Sequence, residues 1–226
     1  MHADFLQKNE LQQITTPKGR YYQHKDGSKF ISVTTVLSKN TNKDSLNKWR
    51  ARVGEKEASR ITNNALRKGT AMHNYCEQYL MHKVNGQPIT DMPNPEVYES
   101  FYSIKPYIDE NLKAIYGIEH MLYSRILSTA GTADVIGKWG DVNAIIDFKT
   151  ASRPKTKDMI ENYFIQATVY SIMCYELYKL EIPKIVIIMA VNQNTPLIFE
   201  ERIKTYLPRV KSLFSNTKTL IDEIVN

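Results

Sequence analysis

The sequence predicts a mixed α/β (α+β) domain, a mixed sheet flanked by helices with an N-terminal hairpin and a helical region ahead of it. Three observations predict it. Apolar residues recur at helical spacing from Ser45 onwards, the pattern switches to period two across residues 118–150, and helix and strand patterns then alternate to the end of the chain. At 226 residues one domain, 1–226, is expected.

In chain order, "RYYQHKDGSKFISVTTVLS" alternates around Asp26-Gly27, so residues 20–23 and 29–37 read as a hairpin within a segment 1–44. Leu46, Trp49, Val53, Ala58, Ile61 and Ala65 then mark a helix to about Leu66. A second helix is expected from Gly69-Thr70 to about His82, opening a helical region 45–116. "HKVNGQPITDMPNP" is a loop by its Gly, Pro and Asn content, and residues 95–116 form a third helix. Within 117–203, "IEHMLYSRILS", "TADVIGKW" and "DVNAIIDFKT" are three strands. A helix over about 158–179 follows, then strands "KIVIIMAVN" and "LIFEERI", and a helix over 204–225 closes the last segment, 204–226.

Composition narrows the function classes. Hydrophobic residues at 42% and charged residues at 24%, with 9 Gly and 9 Pro, fit a folded soluble protein, and the longest apolar run, "IVIIMAV", is strand-sized. "MHADFLQKNELQQ" carries no apolar or arginine-rich leader, so a cytoplasmic setting without membrane attachment is expected. Cys76 and Cys174 are too few for a disulfide framework or a four-thiolate cluster. The net charge of +6 biases the chain towards polyanions, and Arg50, Arg52, Arg67, Lys68, Arg153, Lys155 and Lys157 fall near the motifs described next.

"GTADVIGKWGDVNAIIDFKT", residues 131–150, places charges in a strand-like run. Gly140-Asp141 is a favourable centre for a type II′ turn. If 139 pairs with 142, Asp134 falls opposite Asp147, with Cβ atoms about 5 Å apart, a repulsive arrangement unless something positive lies between. Lys149 shares their face, while Val135, Trp139, Val142, Ala144, Ile146 and Phe148 line the other and anchor the ribbon. Such paired oxygens are what Mg²⁺ or Mn²⁺ prefers, and a neighbouring lysine can orient or deprotonate a water. An ordinary ion pair, Asp134 to Lys149 or Asp147 to Lys138, on a wet sheet face remains an equal reading of the pattern alone.

Gly131, Thr132, Asp134, "IIDFKT" with Asp147 and Lys149, and then Gln166 and Tyr170 in "QATVY" resemble the PD-(D/E)XK nuclease superfamily, in particular its RecB-like exonuclease branch. "RKGTAMHNYCEQYL" resembles the G-T-x-x-H helix of that branch. "FISVTTVLS" resembles the S-V-T-T segment of phage and mitochondrial-genome-maintenance-type exonucleases. The resemblance covers about residues 20–192. It implies a restriction-endonuclease-like αβββαβ core with Asp134, Asp147 and the Phe148 backbone carbonyl as ligands of Mg²⁺ or Mn²⁺. It further implies His73 near the metal, and Lys149 activating or positioning the attacking water. Ala133 replaces the proline of the nominal motif, and the cysteine quartet of some relatives is missing, so no iron-sulfur cluster is expected.

Gln166 and Tyr170 lie at i and i+4, with Tyr163 one turn earlier, and are expected to support the site or contact the DNA backbone. Thr150 and Ser152 extend the catalytic strand towards phosphate, as do Arg153 and Lys155. Glu77 and Glu119 could reach a second metal but read equally as surface carboxylates. His2, His24, His82 and His120 read as ordinary histidines. One or two of the 14 Tyr and 7 Phe could stack unpaired bases.

The resulting expectation is a metal-dependent DNA exonuclease preferring single-stranded ends, in phage or bacterial recombination, repair or degradation. The helical region 45–116 would control access, and a helicase or single-strand-binding protein is a conceivable partner. Two rivals stand beside it, a structure-specific endonuclease on the same core and a catalytically idle nucleic-acid-binding module.

Overall fold

The computed structural model describes residues 2–90, 94–192 and 195–225. The expected loop at 91–93, the residues 193–194 between the last two strands, the side chain of His2 and the chain end at 226 lie outside the described residues. Strands β1 (His2–Ala3), β2 (Leu11–Thr16), β3 (Gly19–His24) and β4 (Lys29–Ser32) come first. Helices α1 (Val33–Asn40), α2 (Asp44–Val53), α3 (Glu55–Asn85) and α4 (Pro95–Asn111) follow. Then come β5 (Leu112–Ser124), β6 (Thr129–Trp139), β7 (Val142–Ala151), α5 (Glu161–Tyr178), β8 (Lys184–Val191), β9 (Leu197–Arg202), α6 (Leu207–Leu213) and α7 (Thr217–Val225).

All nine strands join one mixed sheet in the order β2-β3-β4-β6-β7-β8-β9, with β5 along β6 and β1 on β5. Helices cover both faces. Ile136, Ile145 and Ile187 pack with Phe164, Ile165 and Met173 of α5. Their sequence neighbours Val135, Ile146, Val186 and Ile188 turn the other way, towards Met72, Leu80, Phe101 and Ile104 of α3 and α4. A sheet buried on both sides reads as continuous apolar sequence, which explains "IVIIMAV". Among the described residues no helix is long and apolar enough to cross a membrane.

The sheet contains a fork. β5 runs along one edge of β6, from Leu112↔Trp139 to Ser124↔Thr129. The other edge is shared: β4 pairs in parallel with Thr129 and Ala130, whereas β7 pairs with Val135 to Trp139. Residues 131–134 therefore lie between two diverging strands, and the opening places Asp134 at its rim.

Several element boundaries differ from the sequence expectation. The helix break falls at Gly54, whose φ of +85° lets it close α2 by donating its N–H to the Arg50 carbonyl, so α3 runs unbroken through Gly69. Residues 33–37 are helical because β4 loses its partner after Ser32↔Ala130; Val33, Val36 and Leu37 then bury a helical face instead. The third helix stops at Asn111, since Leu112 onwards finds strand partners in β6. The closing helix is split at residues 214–216, where Thr217 donates its hydroxyl to the carbonyls of Leu127 and Phe214. Val142 does not anchor the ribbon: beside the turn it is 36% exposed, while Val135, Trp139, Ala144, Ile146 and Phe148 are buried.

Candidate active site

The β6–β7 hairpin sets the first two acids. Gly140 takes φ +59° and Asp141 stays out of the left-handed region, as a type II′ turn requires, and Trp139 pairs with Val142. The ladder continues to Val135↔Ile146, and one further step brings Asp134 beside Asp147. There the side chain takes over from the backbone: Asp134 Oδ2 accepts the Phe148 N–H at 2.8 Å. The same oxygen lies 3.2 Å from His73 Nδ1, which α3 delivers across the fork.

Asp147 is 4% exposed and Lys149 pairs with its Oδ2, yet that oxygen accepts no hydrogen bond of proper direction. A buried carboxylate oxygen in this condition is costly unless another group satisfies it. Lys149 Nζ also donates to the Phe148 carbonyl at 3.3 Å and sits 4.9 Å from the ring centroid of Tyr163 on α5. The wet-face ion pair is thereby corrected. Asp147 is buried, its partner stands two residues along the same strand, and Asp134 meets His73 rather than Lys149.

Glu119 joins this cluster from β5. It lies between the pairs Ile118↔Val135 and His120↔Ala133, hence across from Asp134, and it adopts φ +43°, a conformation that costs a non-glycine residue energy. One ligand atom from each of His73, Glu119 and Asp134 lies within 4.8 Å of the others. Counting outwards from Ser124↔Thr129 would have placed Glu119 opposite Asp134 from sequence; its neighbours gave no reason to rank it above Glu77. Glu77, one helical turn beyond His73, stays outside that group but adds its charge to Glu119.

The electrostatics follow from crowding. Burial, with Asp134 nearby, pushes Glu119 up to about 7. Burial also raises Asp147, against the pull of Lys149 and with the push of Asp134. Asp134 goes down despite burial, because His73 and Lys149 favour its charge. Burial works against charge on His73 and on Lys149, but the carboxylates win and both go up.

Other candidates scatter around this centre. Tyr170 is 3% exposed and receives a 3.0 Å hydrogen bond from Gln166 Nε2, so it is closed to a DNA backbone and supports β6 from beneath. A Cβ on Gly131 would lie 2.6 Å from its hydroxyl oxygen, which is why glycine stands there. Thr150 is half-buried facing α3 at Gly69, Ser152 and Arg153 are exposed, and Lys155 is half-buried. Ser152 lines a polar cleft of about 620 Å³ with Lys68, Ser100, Ser103 and Asn192. A larger cavity of about 1080 Å³ opens at the opposite end of β7 and β8, by Val142, Lys184 and Arg202, and holds none of these acids.

Fold and site together define a class: a mixed α/β protein whose sheet, flanked by helices, opens onto a His/Glu/Asp group that could hold a metal ion. No protein-family model matches the chain, and no curated protein does. Among solved structures it is similar to a protein of Eubacterium rectale named "Putative exonuclease", at 12% identity and a TM-score of 0.47. That likeness covers 68% of this chain and 66% of the other, just under two thirds of it.

Proposed function

We propose that this single-domain chain is a Mg²⁺- or Mn²⁺-dependent deoxyribonuclease with a PD-(D/E)XK core of the RecB-like type, acting as an exonuclease on single-stranded DNA ends. The observation that carries the reading is the convergence, at the sheet fork, of Asp134, Asp147 and Lys149 with His73 and Glu119. Mutually repelling acids beside a lysine serve phosphodiester hydrolysis; a passive phosphate-binding surface has no use for them.

Asp134, Glu119 and His73 would hold the cation, with Asp147 and the Phe148 carbonyl as further ligands. The buried Asp147 carboxylate, whose Oδ2 meets the Lys149 ammonium, fits that assignment, and oxygens plus one imidazole suit Mn²⁺ as well as Mg²⁺. When bound, the metal supplies Lewis-acid polarisation of the phosphate and a more acidic water. Lys149, kept protonated by Asp147 and Asp134, is a donor to a non-bridging phosphate oxygen; a held ammonium cannot take the proton of the attacking water. Hydrolysis joins the water oxygen to phosphorus and releases the 3′ oxygen, which leaves with a proton.

Charge distribution supports a polyanionic substrate. Residues 43–68, α2 and the first part of α3, carry eight Lys/Arg and three Asp/Glu, a net +5 out of +6 for the whole chain. In that stretch only Ala58 is buried among the described residues. Among the described residues Lys48, Arg52 and Lys56 have no ion-pair partner, and they stand open to phosphates. We place the enzyme in cytoplasmic DNA recombination, repair or degradation, alone or beside a helicase or single-strand-binding protein.

The test follows end-labelled single strands, a blunt duplex and a closed single-stranded circle with Mg²⁺, Mn²⁺ or EDTA. Metal-dependent loss of linear strands with the circle spared is expected. Cutting of the circle would establish an endonuclease, and binding without cleavage an idle module.

A further inference from the structure

We infer that Tyr163 is a positioning residue for Lys149: the face of its ring holds the ammonium in place while the other groups that now anchor it turn to the metal. Among the described residues Lys149 has three restraints, the Asp147 carboxylate, the Phe148 carbonyl at 3.3 Å and the Tyr163 ring at 4.9 Å. The inference rests on the proposed function, under which Asp147 and the Phe148 carbonyl become metal ligands. Two of the three restraints then share their oxygens with a divalent cation. An aromatic face binds neither a hard cation of that kind in preference to oxygen nor a phosphate, so nothing in the reaction competes with the ring for Lys149.

The surroundings fit a tether. Tyr163 is half-buried at the edge of the core that α5 forms with the sheet, three residues before Gln166 and seven before Tyr170, so one helix face supports both β6 and the end of β7. The Lys149 side chain is 17% exposed, a setting in which a cation over a ring gains more than it does in open water. Among the described residues the Tyr163 hydroxyl has no hydrogen-bond partner, so the ring and not the oxygen is the functional part. A four-carbon side chain left with no tether would spend much of its time away from the phosphate.

Tyr163→Phe keeps the face and Tyr163→Leu removes it. On a labelled single strand with Mn²⁺, the Phe variant should stay within about twofold of the native enzyme. The Leu variant should lose roughly five- to tenfold in kcat with KM little changed. A second reading needs no activity: acetylation of Lys149 by limiting acetic anhydride in EDTA, followed by peptide mass spectrometry, with melting temperatures recorded alongside. Lys149 should be modified at least about threefold faster in the Leu variant, while Phe matches the native protein. Equal modification in all three, or a Phe variant as impaired as Leu, overturns the tether. Absence of hydrolysis by the native enzyme would sink the nuclease reading, and the modification rates would still decide the role of Tyr163.

Discussion

Replacing Glu119 by glutamine should reduce the pH dependence of metal binding, leaving the part that His73 and Asp147 contribute. In the metal-free protein Glu119 titrates at about 7 because burial and the Asp134 charge oppose its ionisation. A ligating carboxylate must lose that proton, so the apparent affinity for Mn²⁺ falls as pH drops. With a value of about 7, proton competition at this one residue weakens binding about a hundredfold between pH 8 and pH 5; a carboxylate titrating at 4.5 would change it by less than about twofold. At a metal concentration that gives about 1,000 times Kd at pH 8, the stabilisation drops from about 4 to about 1.4 kcal/mol, or roughly 5–10 °C in Tm for a chain of this size. Calorimetric titration with Mn²⁺ at pH 5, 6, 7 and 8 gives the affinity, and melting curves give the linked stability. Glu119→Gln keeps a donor oxygen without a titrating proton, so its affinity should be lower at pH 8 but about a hundredfold less dependent on pH. Equal affinities of the native protein at pH 5 and 8, or parallel profiles for the two proteins, would refute the assignment of Glu119 to the metal.

Four further outcomes follow from the same geometry. Without metal, Asp147 and Glu119 both bind protons more tightly folded than unfolded, so the stability they contribute is present in acid and is lost as pH rises through their folded values; melting in EDTA should drop between about pH 5 and 7.5, and an upward trend would contradict it. Gly131→Ala must displace Tyr170, whose oxygen and Cε1 would lie 2.6 Å from the new Cβ, and should cost about 1–3 kcal/mol in urea melts and weaken Mn²⁺ binding through Asp134; an unaltered Tm would show that the ring yields freely. Lys149→Ala should lower kcat about 10²-fold or more with Mn²⁺ binding retained, and loss of metal binding instead would point to a structural role. The triple variant Lys48→Ala, Arg52→Ala, Lys56→Ala should reduce the salt slope for single-stranded DNA binding by about 2, measured by anisotropy in EDTA from 50 to 300 mM salt, and an unchanged slope would remove these cations from the path of the strand.

The sequence by itself determined the parts that depend on short spans of chain. Gly140-Asp141 set the turn, and the turn set the register that brings Asp134 towards Asp147 and puts Lys149 on their side. Period-two patterns located β5 to β7, and the helical pattern after Gly69-Thr70 placed His73 on a helix, where the family resemblance singled it out. Tertiary structure decided what local pattern cannot express. "VTTV" has strand propensity, yet it is helical because β4 has no further partner on β6. Glu119 resembles any surface acid until β5 lies on β6 and sets it across from Asp134. Tyr163 is one of 14 tyrosines until α5 packs on the sheet and lays its ring beside Lys149. Turn chemistry and periodicity act over a few residues, whereas a site of this kind is closed by burial and by charges that meet from four separate elements, and those interactions exist only once the sheet has formed its fork.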